Sequence, residues 1–577
     1  MAMTVQQIQP VAHLPLVLGV LRRLEVATVI DRLIPPPPAH RLSCGRGVEA
    51  LVLALLDGHH ALDKVGQRLE ERGMLALLQP GLTRAALNDY RLGHILESLF
   101  AANLNTVYSA VALTALEVYA IATPWLHQDT TTIALYGAYE DEPKTPQAPR
   151  PAYGHSKDGR DDLKQVLLSL GVSGDGGIPL RLGLRDGNRS DSVETPLAIE
   201  ECLALGLDGV RGIVADSKAY SRRTLGLCLE HGIGLVTLVP RTCAMRQELE
   251  AWGRQHPALP LLVEKPGRTK AEEPRRWHGH SVLRRVEVEY SEGRVVQEEG
   301  RFIVVHSSQL AQQHAQTYAS AQAKEAEALA DHVRQVQAQW FACRPDAEAA
   351  IAAYEGREQG HRGRRPRPWR YHTLRYGIVA ASRRTRRTRR GRPAKTDPPS
   401  TESGYRLVVE VDALPNAEED NGWTVLATTV RAETCTDADI LWAYQEQTTT
   451  VEPGFRWIKN PAAIAPVWLE KPERIAALAM LTVLGLLVYS VIQRQVRLYL
   501  RTHDQQLPGN KGLTAIPTAA VVLALFAQVA LVQVWIDEQE VQQIYGLQPH
   551  HRLVCHALGL DSSWYAVPLA QKSDGDG

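Results

Sequence analysis

Three acidic residues stand in segments where a carboxylate has chemistry to do. Asp129 lies inside HQDTTT, in the middle of the extended apolar segment WLHQDTTTIAL. A carboxylate projecting from a central strand is costly unless it is paired, hydrogen-bonded or bound to metal. Asp216 ends a second short apolar strand, GVRGIVAD, just ahead of a helix start. Glu452 lies in QTTTVEPGFRWIKNP. As a helix, this stretch sets Glu452 and Lys459 two turns apart on one face, an acid for metal and a base for phosphate, with Phe455 or Arg456 between them. Each acid also has an ordinary alternative. Asp129 can be a turn residue bonded to a nearby backbone group, and Asp216 or Ser217 a helix cap. Glu452 can belong to a surface ion pair, with Pro453–Gly454 marking a helix start. Two strand-borne aspartates in one sheet are nonetheless what paired divalent cations require.

Basic residues accompany these acids. Lys157, Arg160 and Lys164 in GHSKDGRDDLKQ are either phosphate contacts or solvated loop charges, while Asp158, Asp161 and Asp162 read as turn and cap residues. The densest charge comes later: Arg362, Arg364, Arg365, Arg367 and Arg370, then Arg383, Arg384, Arg386, Arg387, Arg389, Arg390 and Arg392. Each phosphate that such a run neutralises releases counterions, so its binding should depend steeply on salt. The end, Arg390-Gly391-Arg392-Pro393, matches the core of a minor-groove hook; the other reading is a disordered basic linker. Nucleic acid is the partner in both. A membrane surface fits less well, because no amphipathic face adjoins the arginines.

The elements that must position these residues change character along the chain. Up to about Ala120 the apolar residues recur at helical spacing, as in GRGVEALVLALLDGHH and TRAALNDYRLGHILESLF, with Pro35 to Pro38 as a breaker. From Pro124 short apolar segments bounded by Gly, Asp and Asn signal strands, with one helix in DSVETPLAIEECLALGL. Strands followed by alternating helices and strands indicate a mixed α/β sheet. HSVLRRVEVEYSEGRVVQEEGRFIVVHS then reads as antiparallel strands, followed by a long polar helix, a shorter one and the basic stretch. The α/β texture resumes at Gly404.

Composition bounds the reading. A chain of 577 residues suggests roughly three to four units. Its net charge of zero argues against a protein that coats nucleic acid throughout, so the local clustering of charge matters more. Seven scattered cysteines without a C-x-x-C pair exclude the usual zinc spacings and make a disulfide scaffold a poor fit, which points to a reducing cytoplasm. The N-terminus lacks the layout of a signal peptide. Two apolar runs, Ile475 to Ile492 and Ile516 to Ile536, approach the ~18–20 residues that span a bilayer. Both are expected to be buried core helices, with a membrane hairpin as the alternative.

Taken in order, HQDTTTIALYGAY, GHSKDGRDDLKQ, GLRDGNRSDS, IVADSKAYS and VEPGFRWIKNP resemble bacterial insertion-sequence transposases with an RNase H-like DDE domain and a long insertion before the last acid. LNDYRLGHILESLF also resembles that group's helical N-terminal domain, so the resemblance covers nearly the whole chain. It implies a first Asp on the first strand, a second on the fourth and a Glu on a later helix, which map to Asp129, Asp216 and Glu452 as catalytic and metal-binding residues. It further implies two Mg²⁺ ions per active site, or Mn²⁺ in their place, roughly 3.5–4 Å apart. The chemistry would be nicking followed by strand transfer on double-stranded DNA, at terminal inverted repeats and a target. A homodimer on DNA would serve the two element ends. Lys459, Arg456, Lys157, Arg160, Lys164, Arg386, Arg387, Arg389, Arg390 and Arg392 would be its DNA contacts. The implied fold class is multidomain α/β: a helical domain over 1–120, an RNase H-like core over 121–245 and 404–548, an insertion over 246–403 with a basic arm at 361–395, and a tail over 549–577. One departure stands out. Relatives carry a Tyr and an Arg ahead of the Glu, whereas YQEQTTT precedes it here, leaving Tyr444 or Arg456 as substitutes. Two rivals keep other features: a degenerate relative that binds DNA without cutting, and a membrane-anchored DNA-binding protein.

Overall fold

The segment around Asp129 folds as strand β1 (Trp125–Leu135), inside a mixed sheet. This computed structural model describes residues 3–36, 42–58, 61–137, 139, 145, 147–267, 273–358, 369–384, 401–414, 422–459, 469–536, 539–561 and 565. β1 pairs antiparallel with β2 (Lys164–Ser173), which pairs antiparallel with β3 (Pro179–Asp186). Helix α1 (Asp191–Ala204) then leads to β4 (Gly212–Ala215), parallel to β1. Helix α2 (Arg222–Glu230) leads on to β5 (Gly234–Leu238), parallel to β4. Parallel neighbours need such a crossover, whereas the antiparallel strands are joined by turns. The order β3-β2-β1-β4-β5, with three antiparallel strands and then two parallel ones, is the RNase H-like arrangement. β2 is buried along almost its whole length, which is why it reads as a nearly unbroken apolar run.

The chain divides into two units, one of residues 1–249, 280–303 and 425–577, the other of 250–279 and 304–424. Strand β11 (Trp423–Thr428), which enters the first unit at Val425, adds antiparallel to β5 through Leu426 and Leu238; between β5 and β11 the chain forms the strands β6 (Leu261–Lys265), β7 (Arg275–Glu289) and β8 (Val295–Ser307). Helix α3 (Ala244–Gln255) follows β5. The helices from Leu14–Arg23 to Leu104–Val118 share one apolar core with the sheet. Past the second unit come α6 (Asp437–Ile458) and α7 (Pro472–Thr502).

Helix α7 contains the first apolar run and packs against the helices Cys44–Leu56 and Asp89–Ala101 and against β3. It is long and apolar enough to cross a membrane, yet 94% of its apolar window is buried inside the protein. A helix that is apolar all round is satisfied by such a core, with no face left for lipid. The second run corrects the expectation of another buried helix. It divides into a short helix, Ala519–Leu525, and a strand, Ala530–Ile536, which pairs with Met3–Gln9 and Gln539–Tyr545. The β-branched, alternating ALVQVWI favours a strand once two partner strands exist. Met3–Gln9 is likewise a strand in a region expected to be wholly helical.

In the second unit, α4 (Ser308–Gln337) and α5 (Arg344–Glu358) cover a two-stranded antiparallel ribbon of β9 (His372–Arg384) and β10 (Thr401–Ala413). Val336, Ala347, Leu407 and Val409 form its small core. The middle of the basic stretch is therefore a paired strand and not a disordered linker, because HTLRYGIVAAS alternates between that core and solvent. Arg383 is held by Glu402 at 3.0 Å and lies over the Trp340 ring. Arg386, Arg387, Arg389, Arg390 and Arg392 lie outside the described residues.

Candidate active site

The register of β1 on β4 pairs Gln128 with Ala215, so Asp129 and Asp216 follow one step further along neighbouring parallel strands. The carboxyl end of such strands is where open α/β sheets bind ligands. Asp129 is half-buried and its Oδ1 accepts the Thr130 N–H at 2.7 Å. Burial pushes its carboxyl up to about 6; Lys157 and the Thr130 N–H oppose this, and the charges of Asp216 and Asp191 add to it. Asp216 is also pushed up by burial, against the Lys218 N–H and the Lys157 charge. It caps the turn Ser217–Ala219 by accepting the Lys218 N–H at 3.0 Å, while its carbonyl accepts the Thr237 hydroxyl at 2.5 Å. Capping and a place beside Asp129 therefore coexist. His127, two residues before Asp129, is fully buried with neither ring nitrogen hydrogen-bonded, and burial pushes it down to about 4. It stands neutral on the strand that bears Asp129.

Glu452 comes from α6, which packs over β1, β2, β4 and β5. A capping box starts this helix: the Thr436 hydroxyl accepts the Asp439 N–H at 3.2 Å and Asp439 accepts the Thr436 N–H at 2.9 Å. Asp437 in the first turn pairs with Arg301 at 2.5 Å and accepts the Ser281 N–H at 2.9 Å. The helix runs straight through Pro453–Gly454 instead of starting there. Its buried Val451, Phe455 and Ile458 hold it down on both sides of the proline, and Leu486 of α7 lies 3.1 Å from where a Cβ on Gly454 would stand. Packing of that face outweighs the one backbone hydrogen bond that proline removes. Glu452 and Arg456 are exposed on the opposite side.

Tyr444 joins the three acids electrostatically. Its phenol is pushed up first by burial and then by the charges of Asp216, Asp129 and Glu452, against Arg246. Among the described residues no three His, Cys, Asp or Glu side chains close around one point that could hold a metal ion. The acids share a field instead, and their donors are all carboxylate oxygens, the type that hard divalent cations take.

The basic residues divide. Lys157 enters the acid site, where its Nζ donates to the Thr130 carbonyl at 2.7 Å and the Thr130 hydroxyl at 2.6 Å. Lys459, at the end of α6, pairs with Asp158 at 2.5 Å. Arg160 is forked onto Asp162, and Lys164 donates to the Tyr139 carbonyl at 2.7 Å. Asp161 accepts the Ser156 N–H at 2.9 Å, a turn role as expected.

Asp191, Thr130 and Lys218 were not singled out from sequence. An acid in the first turn of a helix is ordinary dipole chemistry, so nothing local distinguishes Asp191. Behind the site, fully buried Glu194 of α1 meets Arg185 at 3.0 Å, Arg189 at 3.2 Å and Arg181 at 3.4 Å. Arg181 also reaches Ser169 at 2.8 Å, so this network ties α1, and Asp191 with it, to the sheet.

Comparison with known proteins adds three findings. A family model described as a domain of unknown function, DUF4277, matches residues 6–113. No curated protein matches the chain. Among solved structures, the piggyBac transposase, determined by cryo-EM as a synaptic complex with hairpin DNA, is similar at 12% identity and a TM-score of 0.24. The match covers 49% of this chain and 60% of that one, so this chain spans less than two thirds of that transposase's length.

Proposed function

We propose that the chain is a DNA transposase of the DDE type, with Asp129, Asp216 and Glu452 as its acidic triad. The observation that carries this reading is the register that sets Asp129, within β1, beside Asp216, just past the end of β4, in an RNase H-like sheet under the helix that bears Glu452. Their oxygen donors, two of them pushed up by burial, fit a hard divalent cation. These three residues would hold Mg²⁺ or Mn²⁺, two ions per site. Bound there, the ions would activate the attacking water or 3′-hydroxyl and stabilise the leaving oxygen.

The chain's own residues bind and orient the DNA. Tyr444 keeps its proton across physiological pH, because burial and three acids hold it there, and its hydroxyl donates a hydrogen bond to a phosphate oxygen. Exposed Arg456 and, after leaving Asp158, Lys459 neutralise flanking phosphates. The arginines between β9 and β10 add affinity that falls with salt. The substrates in this reading are the terminal inverted repeats of an insertion sequence and a target duplex, processed by a homodimer in the bacterial cytoplasm. The exposure of Glu452 favours one second reading, a relative that binds DNA without cutting it. A plasmid carrying this gene with its native flanks, incubated with the protein in Mg²⁺, separates the two. The transposase reading expects cuts at both flanks by wild type, and binding without cutting by Asp216→Asn. Binding without cutting by wild type would leave only the second reading.

A further inference from the structure

After α4 the chain crosses the edge of β10 that faces away from β9. There Phe341 exchanges backbone hydrogen bonds with Tyr405, at 3.0 and 2.8 Å, and its ring joins the small core under the helices. Side chains alternate along an extended segment, so Trp340 turns to the opposite face of the ribbon, the one that α4 and α5 do not cover. Its indole lies across Gly404, where a Cβ would come within 2.5 Å of the ring. Only glycine lets a ring settle this close to the strand. The register sets Gly404 opposite Ala381, between the pairs Arg406–Val379 and Glu402–Arg383 on that same face. Two guanidinium groups converge on the indole, Arg383 at 4.7 Å and Arg406 at 5.9 Å from the ring centroid, both within cation–π range. Trp340 Nε1 is buried with no hydrogen-bond partner among the described residues, so stacking holds the ring.

Charge is spread unevenly along the ribbon. Near its base Arg375 is matched by Asp412 and Glu410. In the other half, from Val379–Arg406 to Arg384–Thr401, three arginines stand against Glu402 alone. Arg383 donates to Glu402 through Nε at 3.0 Å, while exposed Arg384 and Arg406 form no ion pair among the described residues. Val379, beside Arg406, is 44% exposed, so this face is open. The basic half is about 20 Å long, a length over which a DNA duplex presents several phosphates. A planar guanidinium fork matches a phosphate in two places, and stacking orients the fork before the phosphate arrives.

We propose that the bare face of the β9–β10 ribbon is a contact for the phosphate backbone of duplex DNA, with Arg383 and Arg406 as the phosphate ligands and Trp340 as the residue that positions them. The proposal rests on the reading that this chain binds duplex DNA, and it is independent of cleavage. Trp340 sets both guanidinium groups in advance, so less side-chain freedom is lost on binding.

The test is a gel-shift titration of the full-length chain at several salt concentrations, in a chelator, on the gene's native flanking duplex and on an unrelated duplex. Arg406→Gln should lower the slope of log affinity against log salt by about one, and Arg383→Gln with Arg406→Gln by about two, equally on both duplexes. Trp340→Leu should weaken binding about two- to fivefold, the range of one exposed cation–π contact. Its salt slope should stay that of wild type, and Trp340→Phe should recover most of the loss. Arginine variants with the wild-type slope overturn the proposal and leave DNA binding standing. So does a wild-type slope together with a dimer lost in sedimentation, which would make this face a contact between copies of the chain. No binding of either duplex by wild type overturns the DNA-binding reading as well. A second measurement needs no variant: phenylglyoxal labelling of Arg383 and Arg406 in wild type, read by peptide mass spectrometry. Duplex DNA should protect both, and labelling that does not change contradicts the contact.

Discussion

Replacing Asp129 by Asn should make the fold more stable at neutral pH while removing its chemistry. Burial holds the folded-state Asp129 carboxyl at about 6, against an ordinary value of 3.8. The folded protein therefore binds this proton more tightly than the unfolded chain does. The stability that follows is fully present below the unfolded value and is lost as pH rises through 6. At about 1.4 kcal/mol per unit, the ionised carboxylate costs the fold up to about 3 kcal/mol at pH 7. Asn carries no charge and keeps the oxygen that accepts the Thr130 N–H at 2.7 Å. The variant should thus gain about 1–3 kcal/mol at pH 7, the usual reward for relaxing a strained active site. Urea unfolding in the presence of a chelator, at pH 7 and again at pH 4, measures the gain. Most of it should be gone at pH 4, where the wild-type carboxyl is protonated in the folded state. A variant no more stable than wild type at pH 7, or a gain equal at both pH values, would refute the reasoning.

The remaining predictions concern the surroundings of the site. Glu194→Gln removes the fully buried anion shared by Arg181, Arg185 and Arg189, although Glu201 still pairs with Arg181 and Arg185, and should cost about 1–3 kcal/mol. A urea midpoint within error of wild type would mean that the network is not needed. Lys459→Ala breaks a partly exposed pair with Asp158 and should change stability by less than ~1 kcal/mol. The same variant should lower the slope of log affinity against log salt for DNA by about one. Gel-shift titrations at several salt concentrations check this, and an unchanged slope would remove Lys459 from the DNA contacts.

Much of the sheet could be read from sequence because its strands are short apolar runs punctuated by turn residues. WLHQDTTTIAL and GVRGIVAD carry their acids at strand positions that the register then sets side by side. Helix α6 was harder, since Pro453–Gly454 locally resembles a break, and only the buried face on either side overrides it. The Ile516–Ile536 run misled because apolar length without periodicity suits both a helix and a strand. Pairing with Met3–Gln9, more than 500 positions away, decides in favour of the strand. Lys157 and Asp191 could not be joined from sequence for a similar reason. Their meeting depends on a loop folding back over β1, which no local pattern encodes. Glu194 was hidden in a helix whose acids look solvated until Arg181 and Arg185, on a neighbouring strand, turn toward it.

Glu452 offers the most direct test of the central claim, because its exposed side chain separates chemistry from folding. The measurement is Mg²⁺-dependent cleavage of the gene's native flanking DNA by wild type and Glu452→Gln, with thermal unfolding of both. The account predicts a cleavage loss of about 10²–10³-fold, the scale on which one electrostatic contributor to a transition state acts, with DNA binding and melting temperature unchanged. A Glu452→Gln protein that cuts as wild type does would contradict the triad.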